Sequence, residues 1–191
     1  MKKNEKAFIF IIIIGLILKI SLVSIGQWIL LIGVGLLANA YFFGFTSLLN
    51  NESYQSFSQN RNFLKNKSPY QFLPPYSIVI ILIGMLFKFN AWPGGNMLIA
   101  TGFSMLIIGF FFIYKTPDEK RSWKLGAYKR MIIFGILGIL FYSLPNFFFF
   151  EIINRNHPEY IEATKKFYED PENESYKLKM DVEREKMENG I

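Results

Sequence analysis

Two lysines, Lys19 and Lys88, each interrupt a long apolar run of this sequence. A lysine in apolar surroundings costs free energy to retain, so its position needs an explanation. The favoured interpretation is snorkelling, in which the four-carbon stem extends and brings the ammonium to the headgroup region of a membrane. The alternative is a pair of cations that face each other, bind an anion, or meet a partner's carboxylate.

Other polar side chains in the apolar runs are few. Asn39 and Ser104 lie midway along two of these runs, and Asn90 lies at the end of another. Polar groups at such positions can form hydrogen bonds between helices, each contributing about 1 kcal/mol. We therefore expect Asn39, Ser104 and Asn90 to hold helices together, and we expect Gly33 and Gly35 to allow close helix packing.

The sequence offers little catalytic chemistry. It contains no cysteine and one histidine, His157, which excludes thiolate chemistry and cannot build a metal site alone. No Asp or Glu occurs from Ala7 to Phe45, from Ser77 to Tyr114 or from Met131 to Phe150, so a proton-relaying carboxylate is missing there. We expect no enzymatic activity, no metal and no cofactor.

The two lysines belong to an internal repeat. Gly15, Lys19, Gly26 and Gly33 recur at one constant offset as Gly84, Lys88, Gly95 and Gly102. Each copy reads as two apolar helices joined by a tight turn, near Ser21 to Gly26 in the first copy and Asn90 to Gly95 in the second. The residues Trp92, Pro93, Gly94 and Gly95 suit a sharp reversal at the membrane interface. Both hairpins then have the same orientation, as in parallel repeats.

The composition is that of a membrane protein. Hydrophobic residues make up 51% of the chain and charged residues 19%. The continuous apolar runs predict helices, since a membrane strand would alternate. Five runs are each near the length needed to cross a bilayer: roughly residues 7–24, 27–45, 77–91, 95–114 and 130–150. Lys19 interrupts the first run where a signal peptide would be cleaved, so we expect an uncleaved span.

The charge pattern predicts orientation. Lys and Arg dominate the N-terminal segment and both long connections between apolar runs, which places these parts in the cytoplasm. Five spans then put the tail from Glu151 onward on the outer side. Its eleven acidic and seven basic residues give it a net charge of −4, against +6 for the chain. The basic balance thus follows from topology, and no nucleic-acid binding is expected.

The predicted organisation is an all-α, multi-pass membrane protein. Its parts are a basic segment and first hairpin (1–45), a cytoplasmic loop (46–76), a second hairpin (77–114), a basic cytoplasmic loop (115–130), a fifth membrane helix (131–150) and a charged helical outer tail (151–191). Pro145 should kink or end the fifth helix. In the tail, the prolines of His157-Pro158-Glu159 and Asp170-Pro171-Glu172 predict two helix starts.

The hairpin pattern resembles a known family. The segments from Gly15 to Ile20, from Gly35 to Phe43 and from Gly84 to Gly95 are similar to the transmembrane hairpin of the gliding-motility protein GldL and related small membrane proteins of Bacteroidota. That family's hairpin belongs to a proton-driven inner-membrane motor for gliding and type 9 secretion, with a glutamate in its second helix. Asn39 and Ile108 stand at that place here, and an amide cannot take up and release a proton near neutral pH. The resemblance thus implies the scaffold without the motor.

The expected function is therefore that of a structural or accessory component of an envelope complex in a bacterial inner membrane. Its partners are expected to be the lipid bilayer and either other membrane proteins or further copies of the chain. The alternative is a small-solute or ion transporter with parallel repeats that uses Lys19 and Lys88.

Overall fold

The computed structural model describes residues 3–21, 25–50, 69–115 and 121–189. Within these ranges the chain forms eight helices and no strand, which confirms the all-α class for this part of the chain. The helices are α1 (Lys3–Ile20), α2 (Ile25–Asn50), α3 (Pro69–Phe89), α4 (Gly95–Lys115), α5 (Arg121–Ser143), α6 (Phe148–Ile153), α7 (Pro158–Glu169) and α8 (Glu174–Asn189).

Three of the described helices are long and apolar enough to cross a membrane. Their apolar windows are Ile25–Phe42 in α2, Gly95–Lys115 in α4 and Leu125–Ser143 in α5. The apolar part of α3, Leu73–Phe89, is shorter, and α1 carries charged residues at both of its ends. By length and composition the chain is a helical membrane protein.

Consecutive helices pack as two hairpins, α1 with α2 and α3 with α4. Glycines set the distance between their backbones. A Cβ added at Gly15 would lie 2.5 Å from the backbone nitrogen of Leu30, and one added at Gly84 would lie 2.8 Å from that of Ile99. Neither position leaves room for a side chain, so glycine allows the two helices of each hairpin to approach closely.

A second pair of glycines makes matching contacts further along each hairpin. A Cβ at Gly33 would lie 3.1 Å from the backbone nitrogen of Ile12, and one at Gly102 would lie 3.0 Å from that of Ile81. Gly35 behaves differently, because an added Cβ would meet no atom within 4 Å. Gly33 thus packs as expected, whereas Gly35 lies on the open surface of α2 and the packing expectation for it is wrong.

Helix α3 is the centre of the bundle. It packs against α2 of the first hairpin, against α4 of its own hairpin and against α5. The fully buried apolar side chains come from these helices and include Leu37, Ile78, Ile81, Ile99 and Met131. Burial of such side chains against one another, with large apolar side chains also exposed outside, gives a bundle that is apolar in its core and on its surface.

Helix ends differ from the predicted run ends. Helix α2 continues to Asn50, α3 begins at Pro69 and includes Pro74 and Pro75, and α5 begins at Arg121. The prolines lie in the second turn of α3, where each removes one intrahelical backbone bond, and the Ser77 hydroxyl donates to the Pro74 carbonyl at 2.8 Å. The other predicted loop residues, 51–68 and 116–120, lie outside the described residues.

Pro145 ends the fifth long helix rather than kinking it. Helix α5 stops at Ser143, and the short α6 follows from Phe148. Helix α7 begins at Pro158, as predicted. The second predicted tail start is wrong by a few residues, because Asn173 caps α8 by accepting a hydrogen bond from the Ser175 backbone N–H at 3.1 Å.

Helices α7 and α8 pack against each other into a tail hairpin. Tyr160, Ala163 and Met180 are buried between them, and Phe150 of α6 and Phe167 of α7 pack against this cluster. The tail hairpin therefore has a small apolar core of its own and connects to the bundle through α6.

Candidate functional site

Lys19 lies in the last turn of α1 and is buried, with 8% of its surface exposed. Its ammonium donates a hydrogen bond to the Asn90 side-chain oxygen and lies 5.0 Å from the centre of the Phe89 ring. The Asn90 amide nitrogen in turn donates to the Leu86 carbonyl at 2.8 Å, which fixes the amide's orientation. The structure thus brings together two of the predicted polar residues, Lys19 and Asn90, and links α1 to the end of α3.

Lys88 lies in the last turn of α3 and is 2% exposed. Its ammonium donates to the Asn96 side-chain oxygen at 2.7 Å and to the Tyr142 carbonyl at 2.9 Å. Tyr142 belongs to the last turn of α5, where the helix dipole favours a cation. Lys88 thus joins α3 to α5, and the two lysines bind different acceptors.

The remaining polar positions play separate roles. Asn39 is exposed on the surface of α2. The Ser104 hydroxyl donates to the Ala100 carbonyl of its own helix at 3.1 Å. Of the three residues expected to join helices, Asn90 is the one whose side chain bonds to another helix.

Trp92, Pro93 and Gly94 form the turn between α3 and α4. Gly94 has a φ of +87°, a conformation that glycine adopts without strain. The backbone N–H of Trp92 donates to the Phe87 carbonyl at 2.8 Å, and the Trp92 ring contacts the Phe87 ring edge-on. Helix α4 then begins at Gly95. We call the end of the bundle that contains Lys19, Lys88 and Trp92 the turn end.

A buried ion pair lies at the opposite end of the bundle. The Arg130 guanidinium donates to both carboxylate oxygens of Glu5, from Nε at 2.8 Å and from Nη2 at 2.6 Å. The Tyr41 hydroxyl donates to the same carboxylate, and the Arg130 Nη1 donates to the Gly126 carbonyl at 3.1 Å. This Glu5 cluster, made of Glu5, Tyr41 and Arg130, connects α1, α2 and α5.

Sequence reasoning missed the Glu5 cluster. Glu5 is the first acidic residue of the chain, and the next is Glu52. It lies two residues before the apolar run that begins at Ala7, so a survey of that run for carboxylates did not include it. A lone acid among the N-terminal lysines is the signal that marks Glu5 as unusual, but nothing in the sequence identifies Arg130 as its partner.

The Glu5 cluster holds α1, α2 and α5 together through hydrogen bonds to one carboxylate. Bidentate pairing fills both carboxylate oxygens, and a T-shaped contact with Phe134, 5.7 Å between ring centres, covers Tyr41. Such a buried pair fixes geometry, and its loss on one side leaves an uncompensated charge.

Two cavities lie at the turn end. The Lys19 cleft, about 470 Å³, is lined by Lys19, Gln27, Asn90, Asn154, Tyr160 and Arg184, together with aromatic and apolar side chains. The Lys88 cleft, about 450 Å³, is lined by Lys88, Asn96, Asn146, Lys165, Tyr168 and Glu169 among others. Each repeat lysine therefore borders its own cavity, with the tail hairpin on the far side.

The Lys88 cleft contains acidic as well as basic side chains, so its positive charges are partly balanced. The Lys165 ammonium lies 2.5 Å from a Glu151 carboxylate oxygen, and Glu169 lines the same cavity. Burial, with a smaller contribution from Tyr160, raises the pKa of Tyr168, so this phenol stays neutral at physiological pH. Among the described residues, no group of His, Asp or Glu is arranged to hold a metal ion.

Comparison with protein-family models, curated proteins and solved structures gave no match. The class of this protein therefore follows from its own fold and chemistry. It is a helical membrane protein whose buried charged side chains, among the described residues, lie at the two ends of the bundle.

Proposed function

We propose that this chain is a non-catalytic, five-span protein of the bacterial inner membrane that acts as a structural or accessory component of an envelope complex. The close glycine contacts support five spans. Because Gly15 and Gly33 hold α1 against α2, the apolar part of α1 lies at the same depth as that of α2. Gly84 and Gly102 hold α3 against α4 in the same way. The matched contacts favour two tandem copies of one hairpin, followed by α5.

One observation carries the scaffold role: the buried polar side chains of the described residues are hydrogen-bonded within the chain. In the described residues, no buried side-chain nitrogen or oxygen is without a hydrogen-bond partner. The Glu5 cluster fixes one end of the bundle, while the Lys19–Asn90 and Lys88–Tyr142 bonds fix the other. A bundle clamped at both ends in this way suits a fixed support more than a protein that must alternate between states.

The outer surface of the bundle offers area for neighbouring helices. Large apolar side chains such as Met97, Ile107, Ile132 and Ile136 are exposed on α4 and α5. We propose that lipid covers part of this surface and that other membrane proteins, or a further copy of the chain, cover the rest. The exposed Asn39 on α2, at the place of the motor glutamate in GldL-like hairpins, would then contact a partner helix rather than carry protons.

Gentle extraction tests this role. Tagged protein is solubilised from its native membranes in a mild detergent, and everything that travels with it is quantified by mass spectrometry. The scaffold role predicts other envelope proteins in a fixed ratio to the chain, and the resemblance to GldL predicts gliding or type 9 secretion components among them. Recovery of the chain alone, as monomer or homo-oligomer, would refute the accessory role.

A second candidate function is transport of a small solute or ion. It is favoured by the asymmetry of the bundle, because cavities border Lys19 and Lys88 at the turn end while the Glu5 cluster closes the opposite end. Flux in proteoliposomes separates the two functions. Lys19→Met and Lys88→Met should abolish flux in a transporter, with Lys129→Met, an exposed lysine of α5, as the matched control.

A further inference from the structure

Two cationic side chains line the Lys19 cleft. Lys19 enters it from α1 and Arg184 from α8, where the Arg184 Nη1 also lies 3.7 Å from an Asp181 carboxylate oxygen outside the lining. Among the described residues that line this cavity, none is Asp or Glu. The Lys88 cleft differs, since Glu169 lines it and Glu151 pairs with its Lys165. Of the two cavities, the Lys19 cleft is the one that suits an anion.

The donors in the Lys19 cleft match a phosphate group. The Lys19 ammonium, which has three donors, uses one on the neutral oxygen of Asn90. Arg184 donates from Nε to the Tyr160 hydroxyl at 3.4 Å, and the planar guanidinium suits bidentate binding of phosphate oxygens. The amides of Gln27 and Asn154 line the same cavity. Charge-assisted bonds from such groups are the strong contacts in phosphate recognition.

An apolar crevice adjoins this cleft. It measures about 70 Å³ and is lined by apolar residues of four helices, among them Leu16 of α1, Leu30 of α2, Met85 and Phe89 of α3, and Phe141 of α5. Phe89 lines both the crevice and the Lys19 cleft. The cationic cavity and the apolar crevice therefore adjoin at the Phe89 ring, near the seam between the two hairpins. A ligand that fits both parts has an anionic head and a hydrocarbon chain.

We propose that the Lys19 cleft holds the phosphate headgroup of an anionic phospholipid of the outer leaflet, with part of one acyl chain in the crevice. This inference rests on the proposed membrane topology. The tail hairpin contributes Arg184 and Tyr160, so the bound headgroup joins the tail to the first hairpin. The lipid acts as a structural element that sets the position of the tail hairpin on the bundle.

Thermal unfolding of the full chain in detergent tests the proposal. The probes are micelles doped with phosphatidylglycerol, micelles doped with phosphatidylcholine, and inorganic phosphate in undoped micelles. We expect phosphatidylglycerol to raise the melting temperature, with little effect of the other two. Arg184→Gln and Lys19→Met should each weaken the apparent affinity for phosphatidylglycerol about tenfold, as expected for loss of one charge-assisted bond.

Lys88→Met is the matched control. It removes the equivalent lysine and two hydrogen bonds, so a general loss of folding would affect it at least as much as Lys19→Met, whereas its phosphatidylglycerol response should stay at the wild-type level. Arg184 belongs to the tail hairpin and lies outside the membrane bundle. The Arg184→Gln variant therefore still tests the site if the Lys19→Met variant does not fold.

Three results would overturn the lipid site. They are an equal response to phosphatidylcholine, a full response to inorganic phosphate alone, which would mean a free-anion site, or an unchanged response in Arg184→Gln. Carbonate washing of native membranes distinguishes these failures from failure of the proposed function. A chain that stays in washed membranes without lipid preference loses only the lipid site, whereas a chain released by the wash loses both.

Discussion

Replacement of Arg130 by Met should destabilise the bundle strongly. The substitution keeps an unbranched side chain of similar reach but removes the bidentate partner of Glu5, whose side chain is 1% exposed. The Tyr41 hydroxyl would then be the remaining donor of the Glu5 cluster. Loss of one member of a buried ion pair costs about 3–5 kcal/mol because it leaves an uncompensated charge. For a chain of this size that loss lowers the melting temperature by roughly 10 °C.

The assay is thermal unfolding in mild detergent, monitored by circular dichroism. Lys129→Met is the matched control, since it removes the same charge from the adjacent, exposed position of α5 and should change the melting temperature little. The double variant Glu5→Met with Arg130→Met should recover most of the lost stability, because it removes both charges. An Arg130→Met protein as stable as the Lys129→Met control, or a double variant no more stable than the single one, would refute the clamp.

Three further predictions concern packing and polar contacts. Gly15→Ala should destabilise the first hairpin by about 1–3 kcal/mol, because the added Cβ would lie 2.5 Å from the Leu30 nitrogen. Gly35→Ala has open space around it and should be neutral or stabilise the protein by up to about 1 kcal/mol. Equal melting temperatures of the two variants would contradict this prediction. A double-mutant cycle of Lys19→Met and Asn90→Leu should show a coupling energy of about 0.6–2 kcal/mol, and additive effects would mean that the bond contributes nothing. Met180→Ala should loosen the tail hairpin alone, so hydrogen exchange should rise in α7 and α8 while the exchange rates of α3 stay constant; uniform change would show that the tail is not a separate unit.

Much of the helical architecture could be predicted from local pattern. Continuous apolar runs separated by charged or turn-forming residues define helices without reference to any partner, and Pro145 and Pro158 mark helix ends through their fixed φ and missing N–H. The run ends were less accurate. Helices α2 and α5 extend beyond their apolar parts, since polar residues outside the hydrocarbon can continue a helix without breaking the apolar pattern.

The polar contacts could be predicted only in part. Lys19, Lys88 and Asn90 were recognised because each is unusual for its surroundings, but their acceptors depend on how the hairpins pack. The bond from Arg130 to Glu5 joins residues far apart in the chain, and nothing in the local sequence of either residue names the other. The sequence around Glu5 gives no sign of its burial, because Asn4 and Lys6 are polar and the side chains that bond to Glu5 come from α2 and α5.

Site-specific labelling tests the proposed membrane arrangement most directly. The chain has no cysteine, so single cysteines at Asn189 in the tail hairpin and at Lys115 at the end of α4 report without background. A membrane-impermeant maleimide applied to spheroplasts should label Asn189→Cys at once and Lys115→Cys only after permeabilisation. Labelling of Lys115→Cys in intact spheroplasts, with Asn189→Cys protected, would contradict the five-span arrangement and the outer position of both clefts.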